Sequence, residues 1–285
     1  VWRTKNNASI SLANTSNIRV SNCHFYDATQ NAHPGADPTL LIRRIGQLTI
    51  ESTVFALTDF PSFSVDGDSQ GASLNHVESN SLSTFENCGN VTISNSDLQD
   101  VSVIYTNELH VQNTTLANVD HAVFSTTGIV SFQNVVFQPI SVIGQMNCIV
   151  QLTGNDNTAL QDIQLKLPDL VTPPINISND ETSLAGQLQV ELPSLTAINQ
   201  TVEYSALLFV FDNLTSNFSN IVVDPPTVSA YCNATTTPQW TSTTLSIIVS
   251  ITCTQFLPDL INQTGVIELQ GNYTVLPNKI GRAHV

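Results

Sequence analysis

An eight-residue pattern recurs five times in the first half of this chain: apolar, any, apolar, any, Asn or Ser, any, any, Phe or Leu. The copies are IRVSNCHF from Ile18, LTIESTVF from Leu48, VTISNSDL from Val91, LHVQNTTL from Leu109 and VSFQNVVF from Val130. Residues two apart on a strand share a face, so Ile18 and Val20, or Leu109 and Val111, point inward while Arg19 or His110 points outward. The next member of the pattern, at Asn22, Ser52, Asn95, Asn113 and Asn134, falls where the backbone must turn, and Asn tolerates the left-handed conformation that such a turn needs.

The copies start 30, 43, 18 and 21 residues apart. The two short spacings suit one coil of a solenoid, and the 43-residue gap holds either an extra coil or a long loop. Short apolar stretches ending in Gly or Asn precede three of the copies, at Leu40–Gly46, Val101–Asn107 and His121–Gly128, and another follows the last, at Ile140–Asn147, so each coil has at least three strand segments. Stacked at the strand spacing of about 4.8 Å, the five turn positions would form a ladder, with Asn amides bonding up the column. Over residues 6–155 the repeat resembles the right-handed parallel β-helix proteins of the pectin-lyase-like superfamily, in a non-catalytic, extracellular form.

Past residue 155 the pattern stops, and the Pro-rich stretch Leu167–Ser183 interrupts it. The expected organisation is all-β: a parallel β-helix over 1–155, a linker over 156–183 and an antiparallel β-sandwich-like domain over 184–279. Ile280–Val285 spell a translated sequencing adapter and are set aside as an artefact. The chain opens at Val1 without Met and reads as truncated.

The formal net charge is −15, yet only 11% of residues are charged, the remaining polarity coming from Ser, Thr, Asn and Gln. That balance is unlike an average cytosolic composition and a poor match to nucleic acid or an anionic membrane. No apolar run reaches the roughly 18 residues that span a bilayer; whether an anchor exists is left open. Of the 11 Asn-x-Ser/Thr sequons, four use the 18 Asn before residue 170, at Asn7, Asn14, Asn90 and Asn113, whereas seven use the 10 Asn of residues 170–279. Those seven, Asn176, Asn199, Asn213, Asn217, Asn233, Asn262 and Asn272, predict a glycan-covered second half made in a secretory pathway. Asn113 is also a ladder position, where a glycan would clash, so its sequon is expected to stay unused. Among five cysteines, Cys232 and Cys253 flank a strand-turn-strand stretch and are expected to form a disulfide; Cys23, Cys88 and Cys148 are spread through the repeat.

Catalytic signals are weak. The resemblance includes pectate lyases and polygalacturonases, but no Arg or Lys lies between Arg44 and Lys166, and the Asp-rich and Gly-His-Gly signatures of polygalacturonases are missing from the sequence. Asp97, Asp100, Asp120 and His121 form a loose set on neighbouring coils. Val65–Gly71 opens like a calcium loop, but Val77 stands where an EF-hand places Glu. No cofactor is expected. The sequence is therefore read as a secreted or cell-surface glycoprotein fragment whose β-helix rod serves adhesion, structure or glycan contact, with a polysaccharide or a cell-surface or matrix protein as partner. The alternative is a carbohydrate-active hydrolase or lyase of the β-helix class.

Overall fold

The computed structural model describes residues 10–26, 38–56, 62–119, 122–139, 150–153, 157–198 and 200–254. The protein is all-β, and the described residues contain strands and turns without a helix. The strands fall into successive passes of the chain. The first holds β1 (Ile10–Ala13), β2 (Asn17–Ser21) and β3 (His24–Tyr26); the second β4 (Leu40–Arg43) and β5 (Gln47–Ala56); the third β6 (Phe63–Asp66) and β7 (Ser69–Ser79). The fourth holds β8 (Ser83–Glu86), β9 (Cys88–Ser94) and β10 (Asp97–Gln99); the fifth β11 (Val101–Thr106) and β12 (Glu108–Val119); the sixth β13 (Ala122–Thr126) and β14 (Ile129–Pro139). Then come β15 (Val150–Thr153) with β16 (Asn157–Lys166), β17 (Ile175–Glu191) alone, and β18 (Val202–Ser216) with β19 (Asn220–Asp224). A hairpin of β20 (Cys232–Trp240) and β21 (Thr244–Cys253) follows.

From β1 to β17 each strand pairs in parallel with its equivalent one pass later. One ladder runs β1, β4, β6, β8, β11, β13, β15, β17, β18. Another runs β2, β5, β7, β9, β12, β14, β16, β17. Equal register makes equal positions stack, and the pattern's first two apolar slots become two buried columns. One is Ile18, Leu48, Ala72, Val91, Leu109, Val130, Thr158 and Thr182; the other is Val20, Ile50, Leu74, Ile93, Val111, Phe132, Leu160 and Leu184. From Leu48 and Ile50 onward these side chains are almost wholly buried, whereas Ile18 and Val20 of the first pass are only partly so. The pattern's aromatic slot stacks as well, with Phe25 on Phe55 at 4.8 Å between ring centres and nearly coplanar.

The 43-residue gap between the second and third copies holds a further pass, β6 and β7. Parallel pairing also crosses residues 156–183, where a linker was expected: β16 stacks on β14, and β17 on both β15 and β16. The pattern persists there with other residues in its slots, Thr158 and Thr182 in place of an apolar residue and Asp162 and Gly186 at the turn. Antiparallel pairing is narrower than the expected sandwich-like domain. It joins the first half of β18 to β21, and β21 to β20. Phe209 lies at the junction, paired with Ile175 on one side and with Leu245 on the other. Alternating apolar residues serve both pairings equally, so alternation in the sequence does not separate them.

Candidate functional surface

The turn positions of the pattern share one corner. Asn22, Ser52, His76, Asn95, Asn113, Asn134 and Asp162 all have φ between 49° and 54°, and Gly186 follows at 66°. This is the left-handed region, which Asn and Gly enter most cheaply. All five residues expected there occupy the column; His76, Asp162 and Gly186 complete it. Amide bonds link part of it: Asn134 Nδ2 donates to Asn113 Oδ1 at 2.8 Å, Asn113 Nδ2 to Asn95 Oδ1 at 3.3 Å, and Asn95 Nδ2 to Asn75 Oδ1 at 2.9 Å. Asn75, one residue ahead of the corner, serves because His76 has taken the left-handed position. At the far end the Asp162 carboxylate accepts from Gln187 N at 2.9 Å, across a bulge where any Cβ on Gly186 would collide with that carboxylate.

Outward of this column lies a sheet face of polar rows. Ser21, Glu51, Asn75, Ser94, Gln112, Gln133 and Gln161 follow one another in register. Behind them run Arg19, Thr49, Ser73, Thr92, His110 and Ser131. The charged members are tied sideways. Arg19 Nε donates to Glu51 Oε1 at 2.8 Å, Asn90 Nδ2 donates to Glu108 Oε2 at 3.1 Å, and His110 Nδ1 sits 2.8 Å from Ser131 Oγ with its Nε2 3.5 Å from Glu108. Ser94 Oγ donates to Asn75 Oδ1, joining the face to the amide column. Such a face offers hydroxyl and amide groups at the strand repeat of about 4.8 Å, a chemistry suited to hydroxyl-rich ligands.

The expected carboxylate set is dispersed. Asp97 lies on an outward face and pairs in register with Glu78 on one neighbouring strand and Thr115 on the other, so its carboxylate neighbour is Glu78. Asp100 sits in a different corner, with a φ of 51° and its carbonyl accepting from Ser83 N. Asp120 and His121 lie outside the described residues. In Val65–Gly71, Asp66 ion-pairs with Arg43 at 3.7 Å while Gly67 and Asp68 turn left-handed. Among the described residues no group of three or more His, Cys, Asp or Glu is placed to hold a metal ion. A small cleft is lined by Pro168, Leu170, Pro193, Leu195, Ile198 and Tyr204; Asp169 at its edge turns its carboxylate to Val171 N and Thr172 Oγ1.

Cys232 and Cys253 form a disulfide across the β20–β21 hairpin, which fits an oxidising environment. Cys23 and Cys88 are free thiols, and Cys148 is outside the described residues. Burial, reinforced by the nearby Asp66 charge and opposed by a hydrogen bond to the Glu86 backbone, pushes the Cys88 thiol up to about 12. Of the sequon residues, Asn213, Asn217 and Asn233 are exposed, Asn176 is half-buried between Gln151 and Val210, Asn14 and Asn113 are exposed at left-handed turns, and Asn90 is exposed within β9. Asn7, Asn199, Asn262 and Asn272, like 280–285, fall outside the described residues.

Fold and surface together define an all-β protein with parallel ladders, an amide-lined corner and the Cys232–Cys253 disulfide. No protein-family model matches the chain, and no curated protein or solved structure matches it.

Proposed function

We propose that this chain is a right-handed parallel β-helix of the pectin-lyase-like type, carried by a secreted or cell-surface glycoprotein, and that its rod acts without catalysis in adhesion through contact with glycans. The observation that carries this reading is the polar sheet face from Ser21 to Gln161, whose hydroxyl and amide rows continue in register beside the amide column. Hydrogen bonds to sugar hydroxyls from a pre-ordered face lose little entropy on binding. The disulfide and the sequon-rich second half support the secretory route.

A panel of plant, algal and animal polysaccharides, with binding and depolymerisation both recorded, tests the reading. Binding without cleavage, weakened by Gln112→Ala together with Gln133→Ala, is the expected result. The register pairing of Glu78 with Asp97 favours one rival, a polysaccharide hydrolase. Cleavage lost in Asp97→Asn and in Glu78→Gln would establish that rival instead.

A further inference from the structure

Among the described residues the antiparallel end carries an open edge. Among the described residues β20 pairs with β21 alone. The Cα atoms of Cys232 and Cys253 are 4.0 Å apart, the close spacing of a non-hydrogen-bonded antiparallel pair. At the other end of the hairpin Thr241 N donates to Thr244 O, so the hydrogen-bonded pairs on β20 are the odd-numbered residues. The backbone groups of Ala234, Thr236, Pro238 and Trp240 therefore face away from β21, toward the open edge. Pro238 sits where its missing N–H costs no ladder bond, as expected of a proline on an edge strand. It guards one end of the edge only. Between Asn233 and Pro238 lies Ala-Thr-Thr-Thr, an uncharged run whose Thr235 and Thr237 are exposed and Ala234 and Thr236 half-buried; its threonines favour strand, and this is the kind of edge on which another chain can add a strand.

At the unguarded end stands the sequon Asn233-Ala234-Thr235. The side chain of Asn233 is exposed and points away from the core that Ala234 packs against. We propose that Asn233 carries an N-linked glycan whose role is to guard this edge, complementing Pro238 and keeping β20 from pairing with a second copy of the chain. A branched oligosaccharide rooted one residue from the outward-facing N–H of Ala234 sweeps the volume an added strand would occupy. This inference rests on the secretory glycoprotein reading.

The test expresses the full chain in a eukaryotic secretory host, maps occupancy by peptide mass spectrometry before and after enzymatic glycan release, and measures self-association by sedimentation velocity. Asn233→Gln is expected to raise the fraction of larger species several-fold over the wild type. Asn233→Lys, which also lacks the glycan but puts a charge on the edge, is expected to sediment as the wild type does. If Asn233→Gln sediments like the wild type, or if Asn233→Lys associates as Asn233→Gln does, the guarding role is overturned. An empty Asn233 with Asn213 and Asn217 occupied overturns this inference and leaves the glycoprotein reading standing; all three empty overturns both.

Discussion

Thr182 shows how closely a single position is held by its column. It stacks on Thr158, which stacks on Val130, and its hydroxyl is fully buried without a hydrogen-bond partner among the described residues. A buried, unsatisfied hydroxyl costs about 1–3 kcal/mol, and Val has nearly the same shape. Thr182→Val is therefore expected to stabilise the fold by about 1 kcal/mol, seen as a higher denaturation midpoint at unchanged slope; a lower midpoint would mean that the hydroxyl is satisfied. Cys88 makes a second residue-scale case. With its thiol pushed up to about 12 by burial and by Asp66, it stays protonated at neutral pH, and the thiolate is the reactive form. Alkylation at pH 8 is expected to label Cys23 in the folded protein and to reach Cys88 only after denaturation. Because the folded thiol resists ionisation, this site favours folding at neutral pH and loses that advantage as pH rises from the ordinary value near 9.

At the scale of the element, the amide column and the hairpin make separate claims. Asn113 both donates to Asn95 and accepts from Asn134, so a glycan on its nitrogen would displace the column. Mass spectrometry of secreted protein is expected to find Asn113 bare while Asn213 and Asn217 are occupied. The hairpin is closed by Cys232–Cys253 across a separation of 21 residues, a loop for which chain entropy predicts about 3 kcal/mol. Replacing both cysteines with Ala is expected to lower stability by about that amount, measured by chemical denaturation; no change would place the hairpin's stability in its packing, of which Phe211 against Trp240 is part.

Much of this was legible from single letters. Asn22, Ser52, Asn95, Asn113 and Asn134 announce their corner because few residues accept its backbone, and Cys232 and Cys253 announce their bond because they end facing strands. Three passes went unread for the complementary reason. His76, Asp162 and Gly186 also adopt the left-handed turn, while Thr158 and Thr182 fill apolar slots by shape, so the pattern continues in an altered alphabet. The polar face came from the register of the strands, and Asn75 entered it only once β7 was in place.

At the scale of the molecule, among the described residues parallel register runs from β1 to β19 and couples each pass to the passes on either side of it. Equal positions in the column from Leu48 to Thr182 recur every 18 to 28 residues. Stability in such an array is close to a sum over neighbouring interfaces. The two ends differ. The first pass keeps its apolar residues partly exposed, whereas the last is joined through Phe209 and Val210 of β18 to the crosslinked hairpin. Under tension applied through the termini, such a molecule should peel from its first pass, like tape from a roll whose inner end is pinned. Single-molecule stretching is expected to give a train of small rips, each releasing about 6–10 nm at roughly 3.5 Å per residue. Bond reduction should add one last rip at the pinned end, and a single all-at-once rupture would mean that the passes do not part singly. An array of parallel passes coupled in this way would yield to force in instalments and keep its remaining passes engaged while it did so.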